Sequence, residues 1–263
     1  MRRLVATVFS IVASTASAMA ADMAPSYKAA PMAAAAVFSW TGSYIGLNAG
    51  GTWGRWRDNP STTVNLTGVT TAIPGTFANR TDFVGGFQTG YNWQIGSWVL
   101  GVEQDIQYSR LRSSFVYAAA PGGALVAGDG FSNKVDFLGA TRVRAGWAFD
   151  RSLLYVAGGL ETAVMDTSGN YVARAGGSPA ATFTDADKYH FGWTIGGGYQ
   201  YAITNNVALG AEYRYFDLGR ETYNLGAVTN AAGVTSTVTD SVRLKASQVL
   251  LRLDMKLNGF FGM

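Results

Sequence analysis

From Val249 to Phe261 apolar and polar positions alternate almost without a break. Val249, Leu251, Leu253, Met255, Leu257 and Phe261 share one parity, and Gln248, Arg252, Asp254 and Lys256 share the other. A period of two predicts a strand with one apolar and one polar side. The same alternation recurs upstream over Tyr44–Gly54, Phe83–Gln94, Trp98–Tyr108, Val135–Phe149, Leu153–Ala163, Phe191–Ala202 and Val207–Asp217. Ile45, Leu47, Ala49 and Trp53 form the apolar side of the first. Val135, Phe137, Val143 and Trp147 form that of the fourth, opposite Asp136, Arg142 and Arg144. About eight strands are predicted, and no helical period intervenes.

The connections alternate in length. Residues 95–97, 150–152 and 204–206 make tight turns, while long segments are predicted as loops near 55–82, 109–134, 164–190 and 218–242. Short turns at one end and long loops at the other are the pattern of an outer-membrane barrel. An even strand count then puts both termini on the short-turn side, the periplasm. The aromatics fall into two bands. Trp93, Trp98, Trp147, Phe149, Tyr199 and Tyr201 flank the tight turns, and Trp53, Phe83, Tyr108, Phe137, Phe191 and Tyr215 lie toward the long loops. Two such bands match the girdles at the two membrane interfaces.

The N-terminus fits export. Arg2 and Arg3, a short apolar core over Leu4–Val12 and Ala18-Met19-Ala20 read as a signal peptide over 1–20. The apolar core is well short of the roughly 20 residues a spanning helix needs. Residues 21–39, rich in Ala, Pro and Met, read as a flexible leader, and 40–263 as the barrel. Without Arg2 and Arg3 the 20 basic residues become 18 against 17 acidic ones. The mature charge is thus near +1, and no basic run suggests nucleic acid. There is no cysteine and one histidine, so disulfides, thiolate metal sites and multi-histidine metal sites are excluded. No cofactor is expected.

Charge fixes the register. Arg or Lys on the lipid face costs roughly 2–4 kcal/mol at the membrane midplane. Arg142, Arg144, Arg214 and Arg252 are therefore predicted to face the lumen, with Glu103, Asp105, Glu161, Glu212 and Asp254; Lys256 is assigned to the same side. Arg243 and Lys245 share the lipid-side parity of Val249 and are predicted to sit above the membrane. An eight-stranded lumen is just wide enough for side chains, and buried charges must pair. A plugging network of these residues is expected. The glycines at Gly85-Gly86, Gly158-Gly159 and Gly196-Gly197-Gly198 lie inside strands. They are read as making room for lumenal side chains rather than as phosphate loops. His190 is read as a solvated residue at a strand mouth, without a catalytic partner.

Three segments carry a family resemblance. Trp40-Thr41-Gly42-Ser43-Tyr44-Ile45-Gly46 resembles the opening strand of the small alphaproteobacterial outer-membrane β-barrels, the group of the Brucella-type major outer-membrane antigens and the rhizobial RopB proteins. Phe137 to Asp150 resembles its fourth strand and Ala211 to Gly219 its seventh. The resemblance implies an eight-stranded, porin-like or OmpA-like barrel in the outer membrane. Members usually end on the aromatic, whereas Gly262 and Met263 follow Phe261 here.

The sequence thus predicts an all-β, eight-stranded antiparallel up-and-down transmembrane barrel in the Gram-negative outer membrane. The leading role is structural and interactive: a surface protein supporting envelope integrity, its lumen plugged by charge. A narrow porin for small solutes is the alternative, and a lipid-modifying enzyme the third reading. Expected partners are outer-membrane lipid and lipopolysaccharide, the barrel-assembly machinery during insertion, and an extracellular ligand of unspecified chemistry.

Overall fold

The structure is a computed structural model that describes residues 38–257. The segments read as signal peptide and leader, and the terminal aromatic Phe261 with Gly262 and Met263, lie outside the described residues.

Ten strands form one antiparallel sheet. They are β1 (Gly42–Val64), β2 (Thr70–Ala72), β3 (Thr76–Ile95), β4 (Trp98–Ser109), β5 (Arg112–Val116), β6 (Gly130–Phe149), β7 (Ser152–Tyr171), β8 (Ala181–Ala202), β9 (Val207–Thr229) and β10 (Thr235–Lys256). Eight of them close a ring in the order β1-β3-β4-β6-β7-β8-β9-β10, and β10 returns to β1. The closing seam is continuous from Tyr44 opposite Lys256 to Val64 opposite Ser236. Closure leaves no free strand edge, as a bilayer requires. The short β2 and β5 are flaps on β1 and β6 at the long-loop end.

The alternation read from sequence sets the faces. Ile45, Leu47, Phe87, Leu100, Val102, Leu154, Val156, Leu160, Ile195, Leu209, Leu251 and Leu253 are exposed on the outside. Their neighbours along each strand face inside, buried except for half-buried glycines such as Gly46, Gly86 and Gly159. Tight turns at the short end use left-handed backbone at Gly96 (φ 62°) and Asp150 (φ 52°).

The main departure from the sequence reading is strand length. The expected loops near 55–82, 164–190 and 218–242 are largely strand, while that near 109–134 stays mostly turn and coil around β5, and most ring strands run 20–23 residues. Roughly 9–11 residues suffice to span a membrane, so the barrel continues well past it. Inside this extension, inward residues form an apolar core of Trp56, Val84, Leu111, Phe131, Leu138, Met165, Phe216, Leu218, Tyr223, Leu225, Val238 and Leu244, among others. The surrounding Gly, Ala and Thr hid that period in the sequence.

One face assignment is corrected. The alternation puts Val135 on the same outer side as Phe137. A β-bulge between Val135 and Phe137 inserts Asp136 as an extra residue against β7. The bulge reverses the parity beyond it, so Val135 is fully buried in the core. Asp136 instead pairs with Lys134 at 2.5 Å.

Candidate functional site

The inward face of β1 shows the layering of the interior: Tyr44, Asn48, Thr52, Trp56, Asp58 and Thr62, all buried. The short-turn mouth is filled by Trp40, Val99, Ala148, Leu153, Ala202 and Ala208, with Phe38 packed against them. Phe38 meets Trp40 edge-on at 5.0 Å. Lys256 sits at this rim, donating to the Ser39 carbonyl and lying 5.3 Å from the Phe38 ring, and so does not join the charges deeper in the lumen.

Above that mouth lies a layer of charge. Glu103, Asp105, Arg142, Arg144, Glu161, Glu212, Arg214, Arg252 and Asp254 all point inward and are buried. Arg142 Nη1 donates to Glu212 Oε1 at 2.5 Å, and its Nη2 donates to Glu103. Arg252 likewise bridges Glu212 (Nη1 to Oε2, 2.5 Å) and Glu103. Arg214 holds Asp105 with two bonds of 2.9 and 3.2 Å and reaches Glu212 through Nε at 3.2 Å. Arg144 donates to Gln200 Oε1 at 2.6 Å, and its guanidinium lies 3.9 Å from the Tyr155 ring centre. Asp254 accepts from Gln88 and Gln200. Glu161 is the most peripheral member: Arg214 Nη1 lies 4.0 Å from it. An ionised side chain stripped of water is costly unless paired and hydrogen-bonded. Sharing each of Glu103 and Glu212 between Arg142 and Arg252 meets that requirement.

Polar residues that the sequence reading left out of the network complete it. Tyr44 Oη donates to Glu103 Oε2 at 2.7 Å, and Tyr155 Oη donates to Glu212 Oε2 at 2.7 Å. Both tyrosines have inward parity, which is the signal that locates them. With Tyr44, Gln88, Tyr155 and Gln200, every one of the eight ring strands supplies a side chain to this layer. An amide layer follows: Gln107 Nε2 donates to Asn48 Oδ1 (3.0 Å), Asn48 Nδ2 to Gln88 Oε1 (2.9 Å), and Gln248 Nε2 to Gln107 Oε1 (3.2 Å).

A second polar cluster lies beyond the apolar core, in segments expected to be loop. Asn133 Nδ2 donates to Asp58 Oδ1 at 2.5 Å, Thr167 donates to Asn133 at 2.8 Å, and Asp240 accepts from the Asn59 amide at 2.9 Å. Burial pushes the Asp58 carboxyl up to about 6. Burial and then the neighbouring Asp58 charge push Asp240 well above its ordinary value. Asp129 accepts a 2.5 Å bond from Arg174 in the same region. His190 is also corrected. It is fully buried rather than solvated, and its Nε2 lies 2.6 Å from Tyr223 Oη. The inward parity of His190 continues into the extended strand, which the loop assignment concealed.

On the outer surface Trp53, Phe83, Trp93, Trp98, Tyr108, Trp147, Tyr199 and Tyr201 are all about half exposed, and Tyr215 less so. Trp93, Trp98 and Trp147 gather near the tight turns, with Trp98 and Trp147 edge-on at 5.0 Å. Tyr108 and Phe137 meet at 6.0 Å, and Trp193 and Tyr215 at 5.5 Å, at the other level. Apolar belt, two aromatic levels and a polar interior are the anatomy of a membrane barrel.

The family model described as outer membrane protein beta-barrel domain matches residues 10–243. The chain belongs to that outer-membrane β-barrel family. It is 39% identical over 218 residues to the 31 kDa outer-membrane immunogenic protein of Brucella melitensis, covering 82% of this chain and 86% of the relative. It is 32% identical over 151 residues to the 22 kDa outer membrane protein of Rhizobium leguminosarum, covering 57% and 60%. Among solved structures it is similar to the outer membrane protein OprG of Pseudomonas aeruginosa, with 11% identity, a TM-score of 0.45, and 82% and 97% of the two chains covered. This family member is thus an outer-membrane β-barrel protein, as the resemblance in its strands implied.

Proposed function

We propose that this barrel is a sealed surface protein that supports the outer membrane and presents its long-loop end outward, with both termini in the periplasm. The carrying observation is the filled interior. A solute entering from the short-turn mouth meets Phe38 and Trp40, then a buried layer of ion-paired arginines and carboxylates, then an apolar core with Trp56, Leu111 and Phe216 fully buried. An ion crossing that core would lose its hydration without gaining partners. The relatives' name, outer-membrane immunogenic protein, favours an outward loop end. Catalysis lacks a site in this reading, because the single histidine is buried against Tyr223 and serves packing.

Planar-bilayer recording of the purified, folded protein tests this. Rare, small events are the expected result. Sustained openings in every preparation would overturn the sealed reading in favour of a narrow porin. Protease cleavage on intact cells at the long-loop end, and not at the tight turns, is expected for the proposed orientation.

A further inference from the structure

The outer face of β1 and β10 carries a cluster of cations just beyond the aromatic level. Arg55 and Arg57 follow Trp53 on the lipid-facing parity, as Lys245 and Arg243 precede Ser247 and Val249. The seam sets Arg55 directly opposite Lys245 and Arg57 directly opposite Arg243. Arg220 on β9 stands opposite Arg243 in turn. Like charges directly opposite on one face of a sheet repel. Among the described residues the only carboxylate bonded to the cluster is Asp217, which takes Arg243 Nη2 at 2.5 Å and Lys245 Nζ at 3.1 Å. Among the described residues no acid pairs with Arg55 or Arg57. Arg57 lies 4.6 Å from the ring centre of Phe77, and both arginines are exposed. Arg55, Arg57, Phe77, Arg243 and Lys245 line a shallow cleft.

Position identifies what such a cleft would hold. Two residues past Trp53 is about 7 Å along a strand. That height is where a bilayer changes from hydrocarbon to headgroup. The residues directly below on the same face are Gly51, Ala49, Val249 and Leu251, so an anion bound there would stand over a bare apolar wall. Guanidinium and ammonium groups are the natural partners of phosphate. We propose that this cleft binds the phosphate of a phosphorylated glycolipid of the outer leaflet, whose acyl chains lie along the β1–β10 seam. The site rests on the outward orientation of the long-loop end proposed above, and it accounts for repulsive pairs that the fold alone does not require.

The test uses full-length folded protein in detergent, titrated with diphosphorylated lipid A, dephosphorylated lipid A, inorganic phosphate and heparin. The expected result is at least about tenfold tighter binding of the diphosphorylated lipid than of the dephosphorylated one. Arg55→Gln with Arg57→Gln removes most of that difference, while Arg112→Gln, an exposed arginine elsewhere, leaves it. Neither Arg55 nor Arg57 has an ion-pair partner in the fold, so the double variant keeps its heat-modifiable migration. Equal binding of the two lipids overturns the proposal, as does a double variant that binds like wild type. Heparin binding tighter than the lipid overturns it in favour of a site for soluble polyanions, and inorganic phosphate displacing the lipid at equal concentration shows that the chains contribute nothing. Because binding is read in detergent, a conducting barrel leaves this result untouched, and loss of binding leaves the sealed lumen untouched.

Discussion

Tyr44 on β1 reaches over the strand between them to donate a 2.7 Å hydrogen bond to Glu103 on β4. The residue it crosses is Gly90 on β3, which lies opposite Tyr44 on one side and Glu103 on the other. The same arrangement recurs across the barrel. Tyr155 on β7 passes over Gly198 on β8 to donate to Glu212 on β9, again at 2.7 Å. Each glutamate is then shared by Arg142 and Arg252. The centre of the charged layer is thus two tyrosine–glycine–glutamate bridges clamped by two arginines.

Gly90→Ala and Gly198→Ala test the bridges. A Cβ on Gly90 would lie 2.5 Å from Tyr44 Oη and 2.5 Å from the Val102 carbonyl. On Gly198 it would lie 2.6 Å from Tyr155 Oη and 2.6 Å from the Ala211 carbonyl. Neither strand can yield without opening the ring. Each variant is expected to lose about 1–3 kcal/mol, the usual cost of overpacking, read as a lower urea midpoint for loss of heat-modifiable migration. Gly158→Ala, where an added Cβ meets nothing closer than 3.4 Å, serves as the tolerated control.

Removing one charge should be worse than removing two. Arg142→Gln removes one of the two arginines that Glu103 and Glu212 share, leaving Arg252 between them and the longer contacts of Arg144 to Glu103 and Arg214 to Glu212. Breaking a buried pair from one side costs about 3–5 kcal/mol. Glu103→Gln combined with Arg142→Gln restores neutrality and keeps hydrogen-bonding capacity. The double variant is expected to recover part of the loss in the same urea assay. If it unfolds earlier than Arg142→Gln alone, the two groups do not act as a pair.

How far the sequence carries this picture depends on which force acts where. In the membrane the two faces of each strand meet lipid and lumen, so a period of two is enforced by desolvation. The nine charged residues stand out because each has a position no lipid would accept. Past the membrane the outer face meets water, which tolerates Thr, Ser, Asn and Gly alike, and the inner face alternates Trp56 with Gly54 and Asp58. The contrast between faces fades there, and the extended strands read as loops. The bulge at Asp136 shifts parity without any sign in the residue types. The tyrosine bridges depend on register between strands, which no single segment encodes.

The apolar core beyond the membrane makes a separable unit. Trp56 is fully buried among Leu111, Leu244 and their neighbours. Trp56→Ala leaves a cavity worth about 3–5 kcal/mol. Stability is not uniform along such a barrel, and local opening draws on local contacts. The variant is therefore expected to become protease-sensitive within 57–64, 130–138 and 217–244 while the membrane-spanning half still migrates as a folded barrel. Simultaneous loss of both would show one cooperative unit instead.

Asp58 and Asp240 make the loop end respond to pH. Burial raises both carboxyls, Asp58 to about 6 and Asp240 well above the ordinary carboxylate range, so each retains its proton in the fold at pH values where the unfolded chain has released it. The folded state then binds more protons than the unfolded one, and stability falls as pH rises. The loss begins above the ordinary carboxylate range of about 4 and, for Asp58, is complete once pH passes about 6. Tyr117 faces both acids, but burial and their charge push it to about 12, outside that window. The other groups around the cluster are Asn133, Thr76 and Thr167, none of which titrates there, and the directly bonded Asp129–Arg174 pair, beside which Tyr171 donates to the Leu225 carbonyl. Limited proteolysis of the loop end is expected to be slowest near pH 4 and to quicken from there through about pH 6, and Asp58→Asn or Asp240→Asn should flatten that rise. An Asn retains the acceptor that Asn133 Nδ2 uses at Asp58, so the fold itself has no reason to fail. A wild-type protein whose loop end is equally resistant at pH 4 and pH 8 would mean that the two carboxyls are hydrated in solution and do not share a dry pocket.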